Sequence, residues 1–295
     1  MILGQTSTGK SDFAVEVARH IGGEVISADS RQVYKGMNLG TGKITKKEMK
    51  KVPHHLLDVA SPKKTFSVSN FKKLADKKIK QILKRGAVPI ICGGTGFYID
   101  AVVDGIVLPE VPPNKKLRVI LSKKNTDELY LQLKKLDPIR AETIDRKNPV
   151  RLIRAIEIAQ ALGSVPTPSH RQGLWLGVLK IGLALPDEVL KEKIKVRLLA
   201  RIKKGMIKEI ENLHKEGISW KRMEALGLEY KYGALCLQNK ITKQEMIEKL
   251  VTETWQYAKR QKTWFKRDKN TLWIDPRHLH EKAKAIRKID QFLKQ

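Results

Sequence analysis

The sequence predicts an α/β fold: a parallel sheet flanked by helices, with a small all-helical insertion. Three observations carry this. The stretch Gly4-Gln5-Thr6-Ser7-Thr8-Gly9-Lys10-Ser11 spaces a glycine, four variable residues and Gly-Lys-Ser as a phosphate-binding loop does. It sits between an apolar strand end, Met1-Ile2-Leu3, and a helix in which Phe13, Ala14, Val17, Ala18 and Ile21 recur at helical spacing. After Pro109, Pro112 and Pro113 the pattern changes, and Lys115 to Arg146 reads as two or three short charged helices. The architecture is therefore P-loop NTPase-like, with segment 1–110 as the first part of the core, 111–147 as the insertion, and 148–295 as the core continued.

Each element has its own signal. In a phosphate loop, glycines let the backbone turn its N–H groups inward around an anion, which makes Gly4, Thr6, Ser7, Thr8 and Gly9 candidate diphosphate contacts, and the helix adds its positive end. Lys10 reaches the outer phosphates, and the Ser11 hydroxyl holds a magnesium ion. This names a diphosphate or triphosphate as ligand and leaves the reaction open. Met1-Ile2-Leu3 is short for a central strand, so a few native residues are expected ahead of it. The second strand, Glu24 to Ala28, ends at Asp29-Ser30. Doubly wound sheets gather their sites at such carboxyl ends, so Asp29 is a candidate magnesium ligand, general base, or Asx turn closing the strand. Pro53 to Asp58, with its paired histidines, reads as a surface turn. Ser67 to Arg85 is a basic amphipathic helix striped by Phe71, Leu74, Ala75, Ile79, Ile82 and Leu83. Val88 to Cys92 follows as a buried strand and runs into Gly93-Gly94-Thr95-Gly96, where Thr95 offers a hydroxyl to a bound group.

Further along, Asn148-Pro149 opens a helix with Arg151 and Arg154 on one face and Glu157 placed to pair with Arg154. That face is either a salt-bridge ladder or a clamp on nucleic-acid phosphates. Thr167 to Gly173 is a polar loop, and Trp175 to Leu185 supplies a strand. One long helix is expected from Asp187 to about Gly217. A final helix from Gln244 to about Lys266 ends in Lys259-Arg260-Gln261-Lys262-Thr263-Trp264, which interleaves cations with aromatics. Such a stretch stacks bases and neutralises phosphates, or is a core helix with a solvated basic edge. Trp273-Ile274 reads as a last short strand before a polar tail.

Composition points to the partner. Lys and Arg number 59 against 31 Asp and Glu, a formal net charge of +28, which favours a polyanion, nucleic acid ahead of an anionic membrane surface. The two cysteines, Cys92 and Cys236, stand far apart in apolar surroundings, against a metal cluster or disulfide framework. There is no signal peptide pattern and no membrane-spanning apolar run, so a cytoplasmic protein is expected. No apolar strand ends in Asp-Glu and no Asn-Lys-x-Asp occurs, which argues against hydrolysis of a bound nucleotide.

Taken in order, the segments resemble tRNA dimethylallyltransferases. They are Gly-x-Thr-x-x-Gly-Lys-Ser, Ile-Ser-Ala-Asp-Ser-Arg-Gln-Val-Tyr, Lys-Gly-Met-x-Leu-Gly-Thr, His-His-Leu-Leu-Asp, Gly-Gly-Thr-Gly-Phe-Tyr, Asn-Pro-x-Arg-x-x-Arg-Ala-Ile-Glu and Ala-Lys-Arg-Gln-x-Thr-Trp. The match runs from Gly4 to about Arg267. The resemblance implies transfer of a dimethylallyl group from dimethylallyl diphosphate to N6 of the adenosine 3′ of the tRNA anticodon, with Mg2+; a monomer is expected. It implies Asp29 as the base, with Thr95 bonding near the reacting amine. It makes Ser30, Arg31, Gln32, Arg118, Arg151 and Arg154 tRNA contacts, with Lys259 and Arg260 on the same surface. In one departure, this chain reads Glu224-Ala225-Leu226-Gly227-Leu228-Glu229-Tyr230 where the family usually has Gly-Tyr-Lys or Gly-Tyr-Arg, a region that contacts the anticodon loop in relatives. Alternatives are an isopentenyltransferase of free AMP, ADP or ATP, which needs neither the insertion nor the charge, a P-loop small-molecule kinase, and a nucleic-acid-binding ATPase.

Overall fold

The structure, a computed structural model, describes residues 1–106, 108–166 and 177–294. Two compact units divide the chain: Met1–Val103 with Leu174–Gln295, and Asp104–Gly173. The first part of the larger unit contains β1 (Ile2–Gly4), α1 (Lys10–Ile21), β2 (Gly23–Ser27), β3 (His54–His55), α2 (Val68–Lys84), β4 (Val88–Gly93) and α3 (Gly96–Val103). The smaller unit contains α4 (Lys115–Leu121), α5 (Thr126–Leu136), α6 (Pro138–Thr143) and α7 (Pro149–Leu162). The larger unit then resumes with β5 (Ile181–Leu183), α8 (Asp187–Lys203), α9 (Met206–Lys215), α10 (Trp220–Glu224), α11 (Leu228–Leu237), α12 (Lys243–Phe265), β6 (Leu272–Ile274) and α13 (Leu279–Leu293).

The six strands form one sheet in the order β3-β2-β4-β1-β5-β6, and every pairing is parallel. Strand alternation divides the core between the two faces. Ile2 packs with Phe13, Ala14 and Val17 of α1 and with Ala285 and Ile289 of α13. Its neighbour Leu3 packs on the other face with Phe71, Ala75 and Ile79 of α2 and with Ile99 and Val102 of α3. Because β2, β4 and β1 are adjacent and parallel, their carboxyl ends deliver Asp29, the Gly94-Thr95 loop and the phosphate loop to one edge. In open parallel sheets that edge is where ligands bind.

Several boundaries differ from the sequence reading. The expected single helix from Asp187 breaks in two at Gly205, whose φ of 100° no helical residue adopts. His54-His55 is an edge strand, half-buried beside β2, where a surface turn was expected. The polar tail is a helix, α13, held by burial of Ala285 and Ile289. The helical unit reaches beyond 111–147 because α7 supplies Leu152, Ala155, Ile156 and Ala159 to the same core as Leu121, Leu129 and Leu133. The 167–173 loop expected from the sequence, with Trp175, lies outside the described residues.

Candidate active site

A cleft of about 420 Å3 opens at the carboxyl edge of the sheet, and the phosphate loop forms its floor. Gly9 stands at φ 89° as the residue before α1, a conformation that costs an L side chain energy. The loop is braced from within: the Thr8 hydroxyl donates to the Gln5 carbonyl at 2.9 Å, and the Lys10 ammonium donates to the same oxygen. Burial pushes the Lys10 pKa down to about 8. A cation held at such cost is suited to an anionic ligand that stabilises its charged form. Thr6, Ser7, Gly9 and Ser11 line the cleft, whereas Gly4 and Thr8 are buried beneath it.

Facing the loop is Asp29. Its Oδ1 accepts from the Arg31 N–H at 2.8 Å and the Gln32 N–H at 3.2 Å, so the Asx turn is real. Oδ2 makes no hydrogen bond among the described residues, and Asp29 lines the cleft. The turn and a free basic oxygen therefore coexist in one carboxylate. Thr95 holds the turn from β4: its N–H donates to the Ala28 carbonyl at 3.2 Å, and its Oγ1 accepts from the Ser30 N–H at 3.0 Å. Gln32 reaches the Gly42 carbonyl at 3.4 Å. Arg31 is exposed and donates to the Ala225 carbonyl at 3.3 Å.

The opposite wall comes from α8 and the residue that caps it, with Lys193, Arg197, Arg201 and the cap Lys204 lining the cleft. Sequence reasoning missed them because α8 carries basic residues on several sides, and only the fold selects the face that meets the phosphate loop. Arg197 donates to the Gly42 carbonyl at 3.2 Å. Arg201 donates to the Gly40 carbonyl at 2.8 Å and pairs with Glu229 at 3.2 Å. The acid that departs from the family pattern is thus engaged by an arginine of the cleft wall. Its neighbour Tyr230 is buried and donates to Glu209 at 2.7 Å. That carboxylate also receives the N–H groups of Asn38, Leu39 and Gly40, fixing the glycine-rich loop along the cleft.

Magnesium fits this floor in one way. Ser11 offers a hydroxyl beside the loop, and no group of three or more His, Cys, Asp or Glu side chains suited to a metal occurs among the described residues. If magnesium binds here, Ser11 is the residue that would hold it.

In the helical unit, Glu157 is only 2 % exposed and takes four bonds. They come from Arg118 Nε at 2.7 Å and Nη2 at 2.6 Å, Arg154 Nη1 at 3.1 Å, and the Asn114 N–H at 2.8 Å. The predicted pairing of Arg154 with Glu157 is present, and Arg118 shares it. Two guanidiniums on one carboxylate leave a net positive charge. Arg151 is exposed, 3.8 Å from Asp145. On α12, Lys259 and Arg260 are exposed, and Lys259 lies 5.8 Å from the Trp255 ring centroid. Trp264 is engaged within the protein: its Nε1 donates to Asp100 at 3.0 Å, and the Arg267 guanidinium stands 3.9 Å from its ring centroid. The basic-aromatic stretch lies on a helix that buries Ala258, Gln261 and Phe265 and exposes Lys259 and Arg260.

Comparison with known proteins agrees with this geometry. The sequence pattern of the IPP transferase family matches residues 32–268. A tRNA dimethylallyltransferase 2 of Treponema denticola is 45% identical over 280 residues, covering 93% of this chain and 94% of that protein. The tRNA dimethylallyltransferase of Anoxybacillus flavithermus is 39% identical, covering 93% and 89% respectively. The crystal structure of a tRNA isopentenylpyrophosphate transferase from Bacillus halodurans superposes with a TM-score of 0.75 at 34% identity, covering 99% of this chain and 95% of the other. A eukaryotic dimethylallyltransferase solved acting on tRNA gives 0.73 at 25% identity, covering 90% and 68%. With a phosphate loop, a facing carboxylate and a family pattern that spans most of its length, this chain belongs to the IPP transferase family.

Proposed function

We propose that the protein transfers the dimethylallyl group of dimethylallyl diphosphate to N6 of the adenosine 3′-adjacent to the anticodon in tRNA. One observation carries the reading: a phosphate loop walled by Arg197 and Arg201 faces a carboxylate, Asp29, one oxygen of which makes no hydrogen bond among the described residues. The relatives' names supply the substrate class, and the excess of 59 basic over 31 acidic residues supports an RNA partner. We take the protein to act as a monomer, and a tRNA substrate favours the cytoplasm.

The chemistry follows from the two sides of the cleft. The allylic C–O bond breaks, and its electron pair leaves on diphosphate. The N–H groups of the phosphate loop, Lys10 and Arg197 stabilise that developing charge. Magnesium on Ser11, when bound with the diphosphate, adds electrostatic neutralisation of the same charge. The adenine N6 lone pair forms the new C–N bond, and the N6 proton passes to Asp29 Oδ2. An exocyclic amine delocalised into its ring is a poor nucleophile, so removing the proton as the bond forms contributes about 10²–10⁴-fold. Ser30, Arg31 and Gln32, on the turn that carries Asp29, are suited to meet the nucleotide. Arg118, Arg151, Arg154, Lys259 and Arg260 supply charge for the RNA backbone. A base leaves its stack most readily in a single-stranded loop, which suits an anticodon loop as acceptor.

The test offers labelled dimethylallyl diphosphate and Mg2+ with either an anticodon stem-loop RNA or free AMP. Label in the RNA at adenosine N6 is the expected outcome. Label in AMP would move the protein to the free-nucleotide branch. Turnover of ATP with label in neither would make it a kinase or ATPase.

A further inference from the structure

Gln261 is polar yet only 5 % exposed, on a helix whose neighbouring inward residues are Ala258 and Phe265. Its amide is committed at both ends. Oε1 accepts from the Thr6 N–H at 2.7 Å, and Nε2 donates to the Gly94 carbonyl at 2.7 Å. Thr6 belongs to the phosphate loop that leaves β1. Gly94 belongs to the loop that leaves β4 and leads to Thr95, which holds the turn bearing Asp29. Direct pairing of these two strands ends at Leu3 and Gly93. Past that point no hydrogen bond joins residues 5–9 to residues 94–96 among the described residues, so the Gln261 amide is what spans them.

The surrounding packing points the same way. A Cβ on residue 94 would stand 2.3 Å from Gln261 Nε2, so the glycine there is what admits the amide. One turn earlier on α12, the Ala258 carbonyl accepts from Gln5 Nε2 at 3.2 Å. One turn later, Trp264 lies against Gly96, where a Cβ would come within 2.2 Å of its ring. The helix is thus tied to the phosphate loop and to the β4 loop on successive turns, with Gln261 as the residue that touches both.

We propose that Gln261 is a positioning residue for prenyl transfer, setting the gap between the diphosphate cradle and the turn that carries the base. The role rests on the proposed function. Transfer needs the allylic carbon and the adenine amine in near-attack contact, and a displacement of about 1 Å there costs on the order of 10²-fold. Hydrolysis of the diphosphate does not need the amine: water attacks the same carbon, the C–O bond breaks to release diphosphate, and the proton goes to solvent. Widening the gap therefore slows transfer to RNA while leaving diphosphate binding intact, and dimethylallyl alcohol becomes a larger share of product.

The experiment compares the full-length protein with Gln261→Leu and Gln261→Glu. Gln261→Leu removes both bonds. Gln261→Glu keeps an acceptor for the Thr6 N–H and sets an oxygen against the Gly94 carbonyl, which provides a second variant should the first fold poorly. Steady-state transfer to the stem-loop RNA, alcohol released, and binding of inorganic diphosphate with Mg2+ are measured below the melting transition of each. The expected result is a fall in kcat of about 10–100-fold, with diphosphate affinity within about threefold and a raised alcohol-to-transfer ratio. An unchanged kcat overturns the proposal. So does a loss of kcat matched by an equal loss of diphosphate affinity, which would make Gln261 only a support of the phosphate loop. Absence of RNA transfer by the unaltered protein would instead remove the proposed function, and this role with it.

Discussion

Lys10→Met should make the diphosphate-free protein slightly more stable while weakening its grip on diphosphate. Burial lowers the Lys10 pKa from the model-compound value of 10.5 to about 8, with Arg197 adding to the effect. That difference, near two and a half units, corresponds to about 3 kcal/mol of penalty on the charged form. The penalty is fully present below pH 8, where folded and unfolded chains both hold the proton. Between pH 8 and 10.5 the unfolded chain binds more protons than the folded one, so stability from this group rises with pH. Methionine keeps the apolar stem and loses the ammonium, along with its charge-assisted hydrogen bond to the Gln5 carbonyl, worth about 1.5–3 kcal/mol. The net gain at pH 7 is therefore small, about 0–1.5 kcal/mol, read from denaturant unfolding at pH 7 and 10. Diphosphate beside the ammonium favours its charged form, so binding near pH 8.5, above the lowered Lys10 pKa, should take up a fraction of a proton that the variant, at concentrations where it still binds, lacks. Calorimetry in two buffers of different ionisation heat measures it. A variant less stable than the parent at pH 7, or equal proton uptake by both proteins, would refute the reasoning.

Three further outcomes are expected. Asp29→Asn keeps Oδ1 as acceptor for the turn and cannot take the amine proton, so single-turnover transfer should fall by about 10²–10⁴-fold with RNA affinity within a few-fold; weak binding with normal turnover would instead assign Asp29 to recognition. Glu157→Ala strands two guanidiniums and a backbone N–H, and because both arginines are partly exposed the cost is about 2–4 kcal/mol, seen as faster hydrogen exchange across residues 115–160. Burial raises the Glu157 pKa, but the bonds from Arg118, Asn114 and Arg154 outweigh it and hold the carboxyl below its usual 4.5. Its contribution is therefore present above that pH and lost as pH falls through the lowered value; exchange insensitive to the substitution would count against a structural network. Arg151→Ala should reduce the log–log salt slope of RNA binding by about one and change stability by less than about 0.5 kcal/mol, given its exposed 3.8 Å pairing; an unchanged slope would leave Arg151 as a surface ion pair only.

The local chain was enough to identify the phosphate loop, the strand ending at Asp29, the β4 loop with Thr95 and the capped start of α7. Each is encoded within a few consecutive residues: glycines at fixed offsets, a β-branched apolar run, an Asn-Pro cap. It was also enough to place Glu157 beside Arg154, since helical spacing fixes that neighbour. Tertiary structure decided what depends on facing. α8 carries basic residues on several sides besides its buried Leu190, Ile194 and Leu198, and only its packing shows that Lys193, Arg197 and Arg201, with the cap Lys204, meet the cleft. Arg118 joins Glu157 from 39 residues away, a partnership no local pattern encodes. In Ala-Lys-Arg-Gln-Lys-Thr-Trp the cations read most strongly, yet Gln261, the least conspicuous member, joins two loops from separate strands. A neutral amide gives no periodic or charge signal, because its meaning lies in two backbone groups that the fold brings within its reach.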